Sequence, residues 1–417
     1  MSKVGDDRNK QGHVCMLVRT SVLRNPRVVK QAASLVRAGW RVTVVSAGMP
    51  GESALYERHP DGFEIRRTRQ GWLGRWRRRR QEKRRAGAGQ GGSAPAPYRP
   101  GRSRLMMVLL RRFMILLRML PLLRRARPDI VLAHNVNTLL TGWLGARLCG
   151  ARLVYDAHEV NLDREGYYQK LRGLIRVIEG CVMPRCDLTI TTTAMRARHF
   201  RRVYGLKDAP LVFANFPRRV VAEAGDRLRE QLGLGPEAVI ALYQGGLQEG
   251  RGLHNMVRAV ARVPGVELVF MGGGAQQASL AALADELGVA RRVHFPGAVP
   301  LEELAAYTAS ADIGLQLLRN TCFNHYSTDS NKLFEYALSG LPVIASDFPE
   351  IRRYVRRHDF GLLVNPHDVD AIAGALSHLA SDAGLRRRLA ANARAAAPSL
   401  TWEAVEDDYV GQLARLL

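Results

Sequence analysis

Short apolar runs rich in β-branched residues alternate with longer amphipathic patterns along most of the chain. Val14–Val18 reads as a strand and Pro26–Ala38 as a helix; Val42–Val45, Ile130–Ala133, Leu153–Tyr155, Leu188–Thr191 and Leu211–Ala214 continue the strands, with helices at Thr138–Cys149 and Met195–Tyr204. After a break around Pro217–Gly225 the rhythm restarts. Val239–Tyr243 precedes a helix at Leu253–Arg262, Glu267–Met271 precedes one at Gln276–Leu287, and Val293–Phe295, Ile313–Leu317, Val343–Ala345 and Gly361–Leu363 follow as strands. Apolar strands alternating with helices imply parallel sheets covered on both faces. Two such series predict an α/β protein of two Rossmann-like domains, 1–218 and 219–400, whose parallel sheets face each other across a cleft. The tail 401–417 is helical and free to cross back onto the first domain. Ligands of such sheets collect at the carboxyl ends of the strands, here inside the cleft.

The basic residues are not spread evenly over this framework. The 417 residues include 62 Lys and Arg against 38 Asp and Glu, a net charge of +24. Between Arg66 and Arg127 stand 20 of the basic residues and one acid, Glu82, so this block carries +19 and the rest of the chain only +5. From about 67 to 104 it is rich in Arg, Gly and Pro, with too few apolar side chains to offset the entropy of ordering it. That stretch reads as a flexible insertion in the first domain. From about 104 to 125 the text is apolar, but Arg104, Arg111, Arg118 and Arg125 recur every seven residues and line one side of an amphipathic helix. An Arg at mid-bilayer costs roughly 2.5 to 3.5 kcal/mol, and Pro121 would kink the segment, so a membrane span is excluded. An interfacial helix on anionic lipid and a core helix with its Arg stripe in solvent both fit.

The five cysteines contain no Cys-x-x-Cys pair, and Cys15 and Cys149 sit in apolar runs. The N-terminus lacks the apolar segment of a secretion signal. Both features point to a reducing, cytoplasmic setting, extended to the inner face of the cell membrane if the basic block meets lipid.

Candidate chemistry lies at the strand ends. Gly245 and Gly246 follow the first strand of the second half, and Gly250-Arg251-Gly252 opens the next helix. Glycines between strand and helix let a phosphate approach helix N–H groups, and Arg251 adds a forked, permanently charged donor. A second run, Gly272-Gly273-Gly274, is weaker. Ser327 to Glu350 is the most informative stretch: Ser330 favours a helix start, so Asn331 and Lys332 open the helix and Glu335 falls about one turn in, where a carboxylate can accept from both ribose hydroxyls. In the first half, His134 ends one strand, with Asn135 after it, and Asp156, His158 and Glu159 end the next. These spacings match no known zinc site, and Asp368-Val369-Asp370 reads as helix capping, so no metal is expected.

Taken together, these motifs resemble glycosyltransferase family 4, the mostly retaining GT-B transferases. The similarity runs from Val14 to the end apart from the basic insertion. LAHNVNTLLTGWLGARLCGARLVYDAHE resembles a first-domain signature in which Asp usually stands at Asn135; RCDLTITTT and ANFP resemble the end of that domain. LYQGGLQEGRGL, LVFMGGG, RVHFPGAVP and NKLFEYALSGLPVIASDFPE follow the order of the donor-domain motifs.

The resemblance implies a nucleotide-sugar donor, held by Gly245, Gly246, Arg251, Gly273, Ser330, Asn331, Lys332 and Glu335. Glu335 matches the second Glu of a Glu-x7-Glu motif that holds the ribose, and Arg251 the basic residue that neutralises the diphosphate. His158 matches a first-domain residue near the reacting centre, so His158, Arg251 and Glu335 are the catalytic candidates, with His134, Asn135 and Glu159 toward the acceptor. Ser327 replaces the motif's first Glu, and Gly245 and Gly246 stand where a second phosphate-binding base is usual. The implied reaction is sugar transfer with retention to a glycan or lipid-linked acceptor, in cell-envelope or exopolysaccharide biosynthesis. It would need neither metal nor other cofactor. An inactive GT-B fold that binds polyanions or membranes and a sugar-nucleotide epimerase are the alternatives. Nucleic acid is a poor partner, because no aromatic-interleaved strand or recognition helix is present.

Overall fold

The computed structural model describes residues 12–23, 25–49, 52, 54–68, 113–114, 117–163, 171–220 and 225–417. Eight strands belong to the first sheet: β1 (His13–Val18), β2 (Arg41–Ala47), β3 (Tyr56–Arg58), β4 (Glu64–Thr68), β5 (Ile130–His134), β6 (Arg152–Asp156), β7 (Leu188–Thr191) and β8 (Leu211–Val212). Their order is β3-β4-β2-β1-β5-β6-β7-β8. All neighbours are parallel except β3 and β4, an antiparallel edge pair that the apolar pattern did not foretell. Strands of the second sheet are β9 (Val239–Gln244), β10 (Val266–Met271), β11 (Val293–Gly297), β12 (Ile313–Gln316), β13 (Val343–Ser346) and β14 (Gly361–Val364). Its order, β11-β10-β9-β12-β13-β14, is parallel throughout. Strand order reverses between β1 and β5 in one sheet and between β9 and β12 in the other, the points where α/β sheets open a crevice for ligands.

Two boundaries of the basic block need correction. The insertion does not start at 67: Arg67 and Thr68 complete β4, and Arg67 is buried between Glu52 (3.3 Å) and Glu57 (2.7 Å). A strand tolerates this Arg because two carboxylates meet it. Residues 69–112, which hold the rest of the insertion and the expected start of the helix, lie outside the described residues. The amphipathic helix is described at 113–114 and 117–126, one residue past its expected end. Met119, Leu123 and Ala126 are buried, while Arg118, Arg124 and Arg125 face solvent. Leu123 lies where a Cβ on Gly145 would sit, 2.4 Å away, so the glycine lets this helix close onto helix Val136–Cys149. The C-terminal part is thus a core helix; Phe113, Met114 and Leu117 remain exposed. No helix among the described residues is long and apolar enough to cross a membrane.

The tail returns to the first domain. Trp402, Tyr409 and Leu413 join the core formed by Val28, Leu35 and Trp40. The Trp402 indole donates to Ser34 Oγ (2.7 Å), and its backbone N–H to the Pro217 carbonyl (2.8 Å).

Candidate functional site

The second-domain half of the site surrounds the β9–β12 switch point. Gly314 on β12 has no Cβ, and the Tyr336 ring lies 2.6 Å from where one would be. The Tyr336 hydroxyl donates to the Leu242 carbonyl (3.1 Å) and accepts from the Gln244 N–H (3.1 Å). Helix Asn331–Leu338, which begins directly after Ser330 with no side-chain cap from it, is thereby fixed against the end of β9. That places Glu335 beside Gln244, whose Nε2 donates to the carboxylate at 2.6 Å, while Gln244 Oε1 accepts from Thr308 (2.8 Å). Burial raises the Glu335 pKa; the Gln244 hydrogen bond and the charges of Lys332 and Lys30 oppose the rise.

Lys332 folds back over the same strand. Its Nζ stands 5.1 Å from the Tyr243 ring centroid, a cation–π geometry. A Cβ on Gly245 would lie 2.8 Å from Lys332 Cε. Burial and then Arg251 pull the lysine pKa down to about 8, opposed by Glu335. The guanidinium of Arg251 has no hydrogen-bond or ion-pair partner among the described residues. It faces a pocket shared with Gln248, His254, Asn255 and Arg319.

The glycines serve packing as much as ligand approach. A Cβ on Gly272 would meet the Gly245 carbonyl at 2.1 Å, one on Gly274 the Leu247 carbonyl at 2.3 Å, and one on Gly252 the Leu317 carbonyl at 2.1 Å. Gly273 is open: a Cβ there would meet nothing within 4 Å. The Gly246 carbonyl accepts from the Tyr243 hydroxyl (3.0 Å). The Asn331 side chain turns to the interdomain segment, its Oδ1 accepting from Asn215 (2.8 Å).

In the first domain β5 and β6 bring His134 opposite Asp156. Asp156 is fully buried and held by a bidentate Arg27, at 2.7 Å through Nε and 3.0 Å through Nη2, and by Gln31 at 3.0 Å. Burial opposes its ionisation, but Arg27 and His134 outweigh that and hold the pKa well below the carboxylate range. His134 Nδ1 lies 3.4 Å and His158 Nδ1 4.0 Å from its two oxygens. Burial lowers His158 to about 4, so its imidazole is neutral near pH 7. These three residues could offer ligand atoms within 4.8 Å of one another. Both Asp156 oxygens already face Arg27, however, and its guanidinium would confront a cation placed there.

Asn135, at φ 66°, caps helix Val136–Cys149 with its Oδ1 and donates from Nδ2 to Glu159 (3.0 Å). Its side chain and that of Glu159 therefore pin two loops to each other. Asp368 caps its helix through Ala371 N–H (3.0 Å), the role its spacing suggested.

Sequence reasoning missed Arg27, Lys30, Gln31 and Arg196, all buried polar residues on helices facing the cleft. Lys30 donates to Asn215 Oδ1 (2.9 Å) and to the Phe216 carbonyl, and burial lowers it to about 7. The available signal was the i, i+3, i+4, i+7 run of Arg27, Lys30, Gln31 and Ser34, a polar helix face that the fold buries.

Residues 25–215 match the family model described as glycosyl transferase 4-like domain, and 225–396 that described as glycosyl transferases group 1. The chain is 30% identical over 295 residues to D-inositol 3-phosphate glycosyltransferase of Xylanimonas cellulosilytica, covering 66% of this chain and 69% of that one. It is 25% identical over 306 residues to the lipopolysaccharide core biosynthesis glycosyltransferase LpsE of Rhizobium meliloti, covering 73% and 81%. Among solved structures, sucrose-phosphate synthase of Thermosynechococcus elongatus superposes with a TM-score of 0.77 at 20% identity over 97% of this chain and 98% of that one. Anabaena HepE in complex with UDP and glucose does so at 0.73 and 16%, over 97% and 100%.

Proposed function

The chain belongs to the GT-B glycosyltransferases of family 4 type, and from that premise we propose that it moves a sugar from a nucleotide-sugar donor to a membrane-associated glycan or lipid acceptor, with retention. The observation that carries this reading is the convergence of Glu335, Lys332 and Arg251 on the end of β9. Glu335 accepts from the ribose hydroxyls. Arg251, Lys332 and the N-terminus of helix Asn331–Leu338 receive the diphosphate.

In the reaction the bond from the anomeric carbon to the phosphate oxygen breaks, and the acceptor oxygen bonds to that carbon. The hydroxyl proton passes to the departing phosphate. Arg251 and Lys332 stabilise the charge that develops on the leaving group, and no metal is required. Neutral His158 orients the acceptor hydroxyl by hydrogen bonding. Support for a nucleotide donor comes from HepE, crystallised with UDP and with UDP-glucose. Support for an envelope acceptor comes from LpsE and from exposed Phe113, Met114 and Leu117 beside Arg118. That setting is the cytoplasmic face of the membrane.

The test is a thermal-shift screen against UDP-, GDP- and ADP-sugars, followed by product analysis. Nucleoside diphosphate released only when acceptor is present, with activity surviving excess chelator, is the expected result. Release without acceptor, or loss on chelation with rescue by magnesium, overturns the corresponding part.

A further inference from the structure

Arg196, on helix Ala194–Tyr204, is a buried cation surrounded by neutral oxygens. Its Nη1 donates to the His158 carbonyl (2.6 Å) and to Thr192 Oγ1 (2.7 Å). Nη2 donates to the Asn324 carbonyl (2.9 Å) and to Asn324 Oδ1 (3.1 Å), and Nε to Ser327 Oγ (3.3 Å). A guanidinium has five N–H donors, and all five are used here, two within the first domain and three across the cleft. Burial lowers the arginine pKa, and only the more distant Asp329, Glu159 and Glu350 oppose that.

An apolar side chain would fill this space without taking a charge out of water. What a guanidinium adds is direction: a rigid planar fork that fixes the groups around it. Its neighbours repeat the bridge. Asn324 Oδ1 also accepts from Val160 N–H (2.9 Å), and Thr193 donates to the Ser327 carbonyl (3.0 Å). Three residues beyond Ser327, Ser330 directly precedes the helix that carries Lys332 and Glu335.

We propose that Arg196 is the positioning residue that sets His158 against the donor-binding helix, joining the two half-sites through one side chain. The proposal rests on the roles given above to His158 and Glu335. Arg251, Lys332 and Glu335 all lie in the second domain, so nucleotide binding is independent of Arg196 and only transfer depends on it.

The experiment compares Arg196→Lys, Asn324→Ala and His158→Ala with the intact protein. It measures kcat with acceptor, melting temperature, and affinity for whichever of UDP, GDP or ADP the donor screen selects. Arg196→Lys and Asn324→Ala should keep nucleotide affinity within twofold while kcat falls, at least tenfold for Arg196→Lys. In the His158→Ala background, Arg196→Lys should cause no further loss. Wild-type kcat in Arg196→Lys beside a slow His158→Ala overturns the proposal alone. Wild-type turnover in His158→Ala overturns the reading of that histidine and the proposal with it. Nucleotide affinity and kcat falling in parallel with melting temperature in both cleft variants would show a merely structural role.

Discussion

Lys332 occupies the space that a side chain at position 245 would need: a Cβ on Gly245 would stand 2.8 Å from Lys332 Cε and 3.2 Å from Nζ. The base that the family usually carries in the strand-to-helix turn is absent here, and a lysine from the facing helix leans into the gap. Gly245→Ala should therefore push the ammonium away, with added strain because φ at 245 is 122°. Donor affinity is expected to fall at least tenfold, about 1.4 kcal/mol, in both Gly245→Ala and Lys332→Met, by calorimetric titration with nucleotide.

The same lysine predicts a pH dependence. Its pKa is lowered to about 8, so it is charged below that value and neutral above it. A diphosphate prefers the charged form, so nucleotide affinity should decline as pH rises through about 8. Lys332→Arg should hold its affinity to higher pH, since a guanidinium stays protonated. A flat wild-type profile from pH 7 to 9 would remove Lys332 from the phosphate site.

Glu335→Gln and Arg251→Ala should each leave the melting temperature close to that of the intact protein and lower transfer at least tenfold, about 1.4 kcal/mol in the barrier. Arg251 has no protein partner among the described residues to abandon, so its loss should be nearly silent for folding. Wild-type turnover in both variants would sink the donor-site assignment.

Asp156→Asn tests the buried pair with Arg27. Removing one charge strands the other in the interior, which costs about 3 to 5 kcal/mol and should show in denaturant unfolding. The Asp156 pKa is depressed in the folded state. Its contribution is thus fully present above the unfolded value near about 4 and is lost as pH falls through the depressed one. Between pH 5 and 8 the pair should make stability neither rise nor fall.

For the basic block, binding to anionic vesicles should be electrostatic, worth about 1 kcal/mol per basic residue near the surface and screened within a Debye length. Deleting residues from Gly74 to Gly101 should weaken co-sedimentation with anionic vesicles and spare turnover on a soluble acceptor. Equal binding by intact and deleted protein would make the insertion a bystander.

Legibility in the sequence tracked the range of the interaction. The main strands, the Ser330 helix start and the place of Glu335 depend on local periodicity and capping, and they stand close to where the pattern put them. Helix Arg172–Val182 escaped notice because Leu174 and Val177 face solvent and Glu179 faces inward, inverting the usual signal. Glu179 is tolerated there because the hydroxyls of Tyr155 and Tyr204 donate to it, both at 2.6 Å. The Arg27–Asp156 pair, the five-fold grip of Arg196 and the exchange between Gly245 and Lys332 each join residues far apart in the chain. No local pattern encodes them.

The returning tail has a consequence for how the protein is made. Trp402, Tyr409 and Leu413 complete a core whose other members were synthesised hundreds of residues earlier. A ribosome delivers the chain from its N-terminus, so the first domain must wait, its apolar floor uncovered, until the second has been translated. A fragment ending near 218 would lack that closing piece, leaving an apolar face that only the distant C-terminus covers.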